Sequence, residues 1–222
     1  MAFKNRAEAA RLLARRLETY KGQHPVVLAI PRGAVPMGRI VADELGADLD
    51  VVLVRKLRAP RNPELAIGSI DELGSVYLYP DTRDLWTSAY LESETEEQLS
   101  VLESRRQTYS AAHSPTDVAG RVAIVLDDGI ATGSTMIAAL RAVRSRHPAR
   151  LVAATAVAPA DTVQRLQREA DEVVCLEAPE HLFAIGNHFE DFGQVSDDEV
   201  VAALRAGAAP VGTGPSHRRA AG

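Results

Sequence analysis

The sequence predicts an α/β domain built on a parallel sheet with helices on both faces. Three observations carry that reading. Short apolar runs rich in β-branched residues recur at 26–30, 50–54, 122–127, 151–157 and 172–176, and unbroken runs of this kind belong to strands buried on both sides. Helical patterns separate most of them, as parallel strands joined by crossovers require. Turn-forming and polar residues follow several strands directly, at the sheet edge where open α/β folds hold their ligands.

Asn5-x-x-Glu8 is a capping-box pattern opening a helix whose one face carries Ala9, Leu12, Leu13 and Leu17. It reads as a packing helix, not a site. Val26-Val-Leu-Ala-Ile30 is a strand, Pro31-Arg-Gly-Ala-Val-Pro-Met-Gly38 turns into a helix reaching about Leu45, and Asp50-Val-Val-Leu-Val54 is the second strand. The opening is therefore a βαβ unit. Residues 55–72 are rich in Arg, Pro, Asn and Gly without a clear period and are expected to form a long loop. Residues 76–79 are a candidate strand, and 88–111 a long charged helix with Glu and Arg toward solvent.

The helix after the 122–127 strand carries Met136, Leu140 and Val143 on one face, and Asp161-x-x-Gln164 is expected to cap the helix between the last two strands. A small element over 183–194 precedes Ser196-x-x-Glu199, a capping box for a final helix stopping near Gly207. Residues 1–207 form the expected domain, with a core at about 26–176 and a small C-terminal hood at about 177–207, which the N-terminal helix is a candidate to join. Residues 208–222 lack periodicity and are expected to be a disordered tail.

At 222 residues and 46% hydrophobic, the chain supports one well-filled core, and its net charge of −5 argues against a nucleic-acid-binding surface. The single Cys175 lies in an apolar run, reads as a buried structural thiol and fits a reducing cytoplasm. No stretch has the length of a transmembrane helix. The expectation is a cytoplasmic protein with neither nucleic-acid nor membrane partners.

The most informative stretch is Val122-Ala-Ile-Val-Leu-Asp-Asp-Gly-Ile-Ala-Thr-Gly-Ser-Thr135, a buried strand ending in two carboxylates and running through small residues into a helix. Gly129, Ala131, Thr132, Gly133, Ser134 and Thr135 can wrap backbone N–H groups and hydroxyls around one phosphate at the positive end of that helix. Asp127 and Asp128 repel a phosphate but suit hydroxyls or a metal ion beside it. A sugar phosphate needs both halves at once.

Asp127-Asp-x-x-Ala-Thr-Gly-Ser-Thr135 resembles the phosphoribosyl-pyrophosphate (PRPP) loop of the type I phosphoribosyltransferases, with Ser134 replacing the second glycine of the usual Thr-Gly-Gly-Thr ending. The resemblance covers about 26–176 and implies the family's Rossmann-like parallel-sheet core. It implies that Asp127 and Asp128 orient the ribose hydroxyls and hold Mg²⁺ through PRPP or water, with the 5′-phosphate in the loop. Pro31-Arg32-Gly33 resembles the family's pyrophosphate loop and Arg55-Lys56 its Arg-Lys pair, Lys56 reaching the leaving group. Residues 58–71 correspond to the family's flexible loop, with Arg58, Arg61 and Glu64 as working side chains. In the hood, Phe183 or Phe189 could stack on a base, and His188 is a candidate polar contact.

The implied reaction displaces pyrophosphate from PRPP by a nitrogenous acceptor, with Mg²⁺ as cofactor and a nucleoside 5′-monophosphate as product; Asp127, Asp128 and Lys56 carry the catalytic weight. Alanine at 131, where the 6-oxopurine branch has aspartate, and the lack of any lysine after 56 disfavour a hypoxanthine or guanine enzyme. The acceptor stays open. A PRPP- or nucleotide-sensing protein with little catalysis, and a phosphosugar enzyme such as a phosphatase, are the competing readings. A homodimer is the assembly to test for.

Overall fold

A computed structural model describes residues 2–110 and 115–206. The expected tail at 208–222 and the helix stop at Gly207 lie outside the described residues.

Helix α1 (Arg6–Arg16) opens the chain, its first turn fixed by Asn5 Oδ1 accepting the Glu8 N–H at 3.1 Å. Glu8 accepts the Lys4 N–H at 2.6 Å, so only half of the expected box forms. Next come β1 (Val26–Ala29), α2 (Ala34–Leu45) and β2 (Asp48–Val51), the expected βαβ unit with β1 and β2 parallel. Three strands, β3 (Val54–Ala59), β4 (Asn62–Asp71) and β5 (Val76–Leu78), form a separate antiparallel sheet. Helix α3 (Ser88–Ser110) returns the chain to β6 (Val122–Asp127), α4 (Ser134–Arg144), β7 (Arg150–Val157), α5 (Ala160–Leu166), β8 (Glu172–Glu177) and α6 (Asp197–Ala206).

The main sheet has the order β2-β1-β6-β7-β8, and every recorded pairing is parallel. Side-chain alternation sends Val27, Ala29, Ile124, Leu126, Val152 and Ala154 to one face, packed with α1 and α2. Val26, Leu28, Ala123, Val125, Leu151 and Ala153 go to the other, packed with α4 and α5. This is the predicted α/β architecture with helices on both faces. Burying both faces explains the unbroken apolar runs, and truncating a fully buried leucine such as Leu28 or Leu126 costs about 2–5 kcal/mol.

The chain leaves β1 toward β2 on one side and resumes at β6 on the other, so the strand order reverses between β1 and β6. Open α/β sheets bind ligands beyond the strand ends at such a switch point. The residues following β1 and β6 meet there.

The expected long loop at 55–72 is instead the β3–β4 hairpin. Leu57 and Ala59 point inward while Lys56 and Arg58 are exposed, so a strand alternation exists, hidden by the charge of its outer face. Arg61, at φ 64°, makes the tight turn. The expected second strand ends early at Val51, and Arg55-Lys56 sits on the hairpin and not at the end of a main-sheet strand. Gly68 lets β5 approach: a Cβ there would lie 2.4 Å from the Tyr77 carbonyl oxygen.

Helix α3 is less solvent-directed than its charge suggests. Gln98 is buried and accepts from Arg55 Nε at 2.5 Å, while Glu94 accepts the Arg58 N–H at 3.0 Å. Arg106 turns inward to pair with Asp50 and Glu72. These contacts hold the hairpin over the sheet edge. Helix α5 lacks the expected Asp161 cap: Pro159 occupies the N-cap and Asp161 accepts from the adjacent Thr162 N–H. Helix α6 has its complete box, Ser196 and Glu199 accepting each other's N–H. Among the described residues, no helix is long and apolar enough to cross a membrane.

Candidate functional site

Strand β6 delivers Asp127 and Asp128 to the sheet edge. Asp127 is half-buried and accepts the Asp128 N–H at 2.9 Å, while Asp128 is 9% exposed. Desolvation, and next the Asp128 charge, push the Asp127 carboxyl well above the ordinary carboxylate range. A cation or hydroxyl donor brought beside the pair would relieve that cost.

The following loop is held from behind. The Ala131 carbonyl accepts from Thr162 Oγ1 at 3.1 Å and the Thr132 carbonyl from Arg165 Nη2 at 2.5 Å, both from α5. Gly133, at φ 76°, takes the left-handed conformation at the N-cap of α4 without a side-chain cap. The first N–H groups of a helix have no intrahelical acceptor, so with the carbonyls turned to α5 this end is suited to an anion. The Thr132 and Ser134 hydroxyls lie 3.3 Å apart beside it.

A cavity of about 240 Å³ is lined by Asp127, Gly129, the loop at 130–136, Lys56 and Ile185. Gly129 admits the hood here, since a Cβ would meet Ile185 Cγ2 at 2.3 Å. A second cavity of about 340 Å³ shares Lys56 and Thr135 and is lined also by Arg55, Arg58, Pro63 and Glu64. Its cations are crowded: burial, then Arg105 and Arg58, lower the Arg55 pKa. An anionic group entering between the two cavities would meet Lys56 from either side.

After β1, the Pro31–Arg32 peptide bond is cis and Gly33 lies against Asp128. Arg32 is 45% exposed along its side chain, pairs with Asp197 at 3.6 Å and lines neither cavity. Arg61 stands on the hairpin turn, outside both linings, whereas Arg58 and Glu64 face the second. Arg58, Arg61 and Glu64 are thus strand and turn positions of the β3–β4 hairpin.

In the hood, Phe183 is 94% exposed. Phe189 cannot stack on a base in this arrangement: it is buried between Phe3 and Phe192, with ring centroids 5.4 and 4.8 Å away. Its β-bridge to Phe3 pins the hood to the N-terminal arm. His188 Nδ1 lies 3.0 Å from Glu177 Oε2, an internal contact. Cys175 is half-buried, its thiol donating to the Glu177 carbonyl, and burial raises its pKa.

Sequence reasoning misses Arg6, Ile185, Thr162 and Arg165. Arg6 belongs to a helix that reads as packing alone, yet its Nε donates to Asp128 Oδ2 at 2.8 Å. No local signal marks any of them, because each acts on a partner distant in sequence.

The chain matches the family model described as phosphoribosyl transferase domain over residues 3–191. "Putative phosphoribosyl transferase Rv0571c" of Mycobacterium tuberculosis strain H37Rv is 42% identical over 204 residues, 91% of this chain. The same match is found with "Putative phosphoribosyl transferase MT0597" of strain CDC 1551. The chain spans 46% of the length of these relatives. Among solved structures, that of TT1426 from Thermus thermophilus is 42% identical, with a TM-score of 0.85, covering 94% of this chain and all of that one.

Proposed function

The chain belongs to the phosphoribosyl transferase domain family, and from that membership we propose that it transfers a 5-phosphoribosyl group from PRPP to a nitrogenous acceptor, releasing pyrophosphate. One observation carries this reading: the phosphate-type loop, Asp127 and Lys56 line the same cavity. A phosphate that is held needs the N–H cradle, a ribose needs a hydroxyl acceptor, and a departing pyrophosphate needs a cation. The small-residue loop at the start of α4 suits a phosphate that is held and not cleaved, which favours transfer over a phosphatase.

In this reading the loop at 129–135 binds the 5′-phosphate, and Asp127 and Asp128 accept from the ribose hydroxyls. Their negative potential favours the positive charge that develops at C1. Lys56, with Arg55 and Arg32 at longer range, neutralises pyrophosphate oxygens as the bond breaks; one such group is typically worth about 3–4 kcal/mol in the transition state. Gly33 keeps the turn after β1 against Asp128. The hairpin side chains Arg58 and Glu64 flank the leaving group, Arg61 stands at the rim, and Phe183 is the remaining aromatic for an acceptor ring.

Among the described residues, no group of three or more His, Cys, Asp or Glu could cage a metal. Mg²⁺ generally keeps waters and uses one or two carboxylates with substrate phosphates, so Asp127 and Asp128 fit an ion that arrives with PRPP. Bound there, Mg²⁺ supplies charge neutralisation for the pyrophosphate. The testing experiment incubates the protein with PRPP, Mg²⁺ and a panel of purine, pyrimidine and pyridine bases. Pyrophosphate release with an acceptor is expected; stabilisation by PRPP without release under any condition would favour a sensor.

A further inference from the structure

We propose that Arg6 is a positioning residue of the ribose site, holding the Asp128 carboxylate in place and linking it to the seated hood. The inference rests on the proposed use of Asp128 toward PRPP. Arg6 opens α1, and its guanidinium is spread over three partners from two distant regions of the chain. Nε donates to Asp128 Oδ2 at 2.8 Å, Nη1 donates to the Gly193 carbonyl at 2.6 Å, and Cζ stands 3.8 Å over the Phe192 ring. The paired side chains are only 16% and 12% exposed, unlike a solvated surface pair, which contributes little. Nη2 also borders Gly33, 3.2 Å from where a Cβ would stand.

The hood docks on the same N-terminal segment that carries Arg6. Phe3 N–H donates to the His188 carbonyl at 2.7 Å, Glu190 N–H to Phe3 at 2.8 Å and Asp191 N–H to Lys4 at 3.0 Å. The N-terminal arm and residues 188–193 therefore form one unit, and Arg6 reaches from it to the end of β6. Arginine suits the task because its planar fork offers several donors in fixed directions. A lysine can keep the charge but cannot span Asp128 and Gly193 together.

The test is a double-mutant cycle on the full chain, read by calorimetric titration with PRPP and Mg²⁺. Arg6→Ala should weaken binding about tenfold or more in the parent and less than about threefold in the Asp128→Asn background, because contacting residues are energetically coupled. Arg6→Lys should recover part of the loss. Phe192→Leu, which loosens the hood without touching Asp128, should lower Tm yet leave affinity within about twofold. Equal losses from Arg6→Ala in both backgrounds, or a Phe192→Leu loss as large as that of Arg6→Ala, would overturn the proposal. If Arg6→Ala does not fold, Arg6→Lys carries the cycle: a smaller loss in the Asp128→Asn background than in the parent is expected, and equal losses overturn the proposal. A parent that does not bind PRPP overturns the proposed function and this inference together, whereas binding with an additive cycle overturns the inference alone.

Discussion

A Cβ placed on Gly33 would lie 2.1 Å from Asp128 Oδ2. The turn after β1 and the carboxylate after β6 are thus in contact across the switch point of the sheet, and glycine is required by space. Its backbone is right-handed helical, at φ −55° and ψ −35°, so alanine would cause no local strain. Gly33→Ala is therefore expected to displace Asp128 and weaken PRPP binding at least about tenfold. Gly46→Ala provides the contrast: Gly46 has φ 64° with nothing within 4 Å of its Cβ position, so that change should cost roughly 1 kcal/mol of stability and leave binding unaltered. Thermal melts with and without PRPP separate the two effects.

The phosphate loop depends on both its conformation and its hydroxyls. Gly133 combines φ 76° with a Cβ position 3.0 Å from Thr162 Cγ2. Gly133→Val should destabilise the protein by about 1–3 kcal/mol and abolish stabilisation by PRPP or a nucleoside 5′-monophosphate. Thr132→Val should fold normally and lose most of that stabilisation. Equal ligand-induced Tm shifts in parent and variants would place the phosphate elsewhere.

Asp127 is expected to make the ligand-free protein pH-dependent. Burial and the Asp128 charge raise its carboxyl well above the ordinary range. Between the unfolded value, about 4, and the raised folded value, the folded state binds more protons, so stability falls as pH rises through that window. Asp127→Asn removes the slope, and its Tm should exceed that of the parent by a margin that widens as pH rises from about 4 through the raised folded value. A constant difference across that range would mean that Asp127 is not the titrating group. The same variant should lose PRPP binding, with stability and function moving in opposite directions.

How far the sequence discloses the molecule depends on whether partners are neighbours along the chain. The strand, the carboxylates and the loop at 122–135 are contiguous, and both chemistry and local structure can be read from them. The β3–β4 hairpin is hidden because its exposed face carries Lys56 and Arg58 and its turn lies among prolines, a composition shared with loops. Phe189 carries a choice between base stacking and packing that only the position of Phe3 resolves. Arg6 lies 122 positions from Asp128, and a helix with a regular apolar face gives no hint that its first residue leaves that face for the sheet edge.

Lys56 separates a transferase from a sensor most directly. It lies on β3, exposed, and lines both cavities beside the loop, where an ammonium can meet the leaving group. The decisive measurement is pyrophosphate release from PRPP and Mg²⁺ by the parent and Lys56→Ala, across the acceptor panel, alongside their affinities for PRPP and a nucleoside monophosphate. The expected result is release by the parent with an acceptor, slowed about two to three orders of magnitude in the variant, which binds PRPP more weakly but the monophosphate unchanged. Release at the parent rate by Lys56→Ala would contradict its role, and no release by the parent with any acceptor would contradict transfer itself.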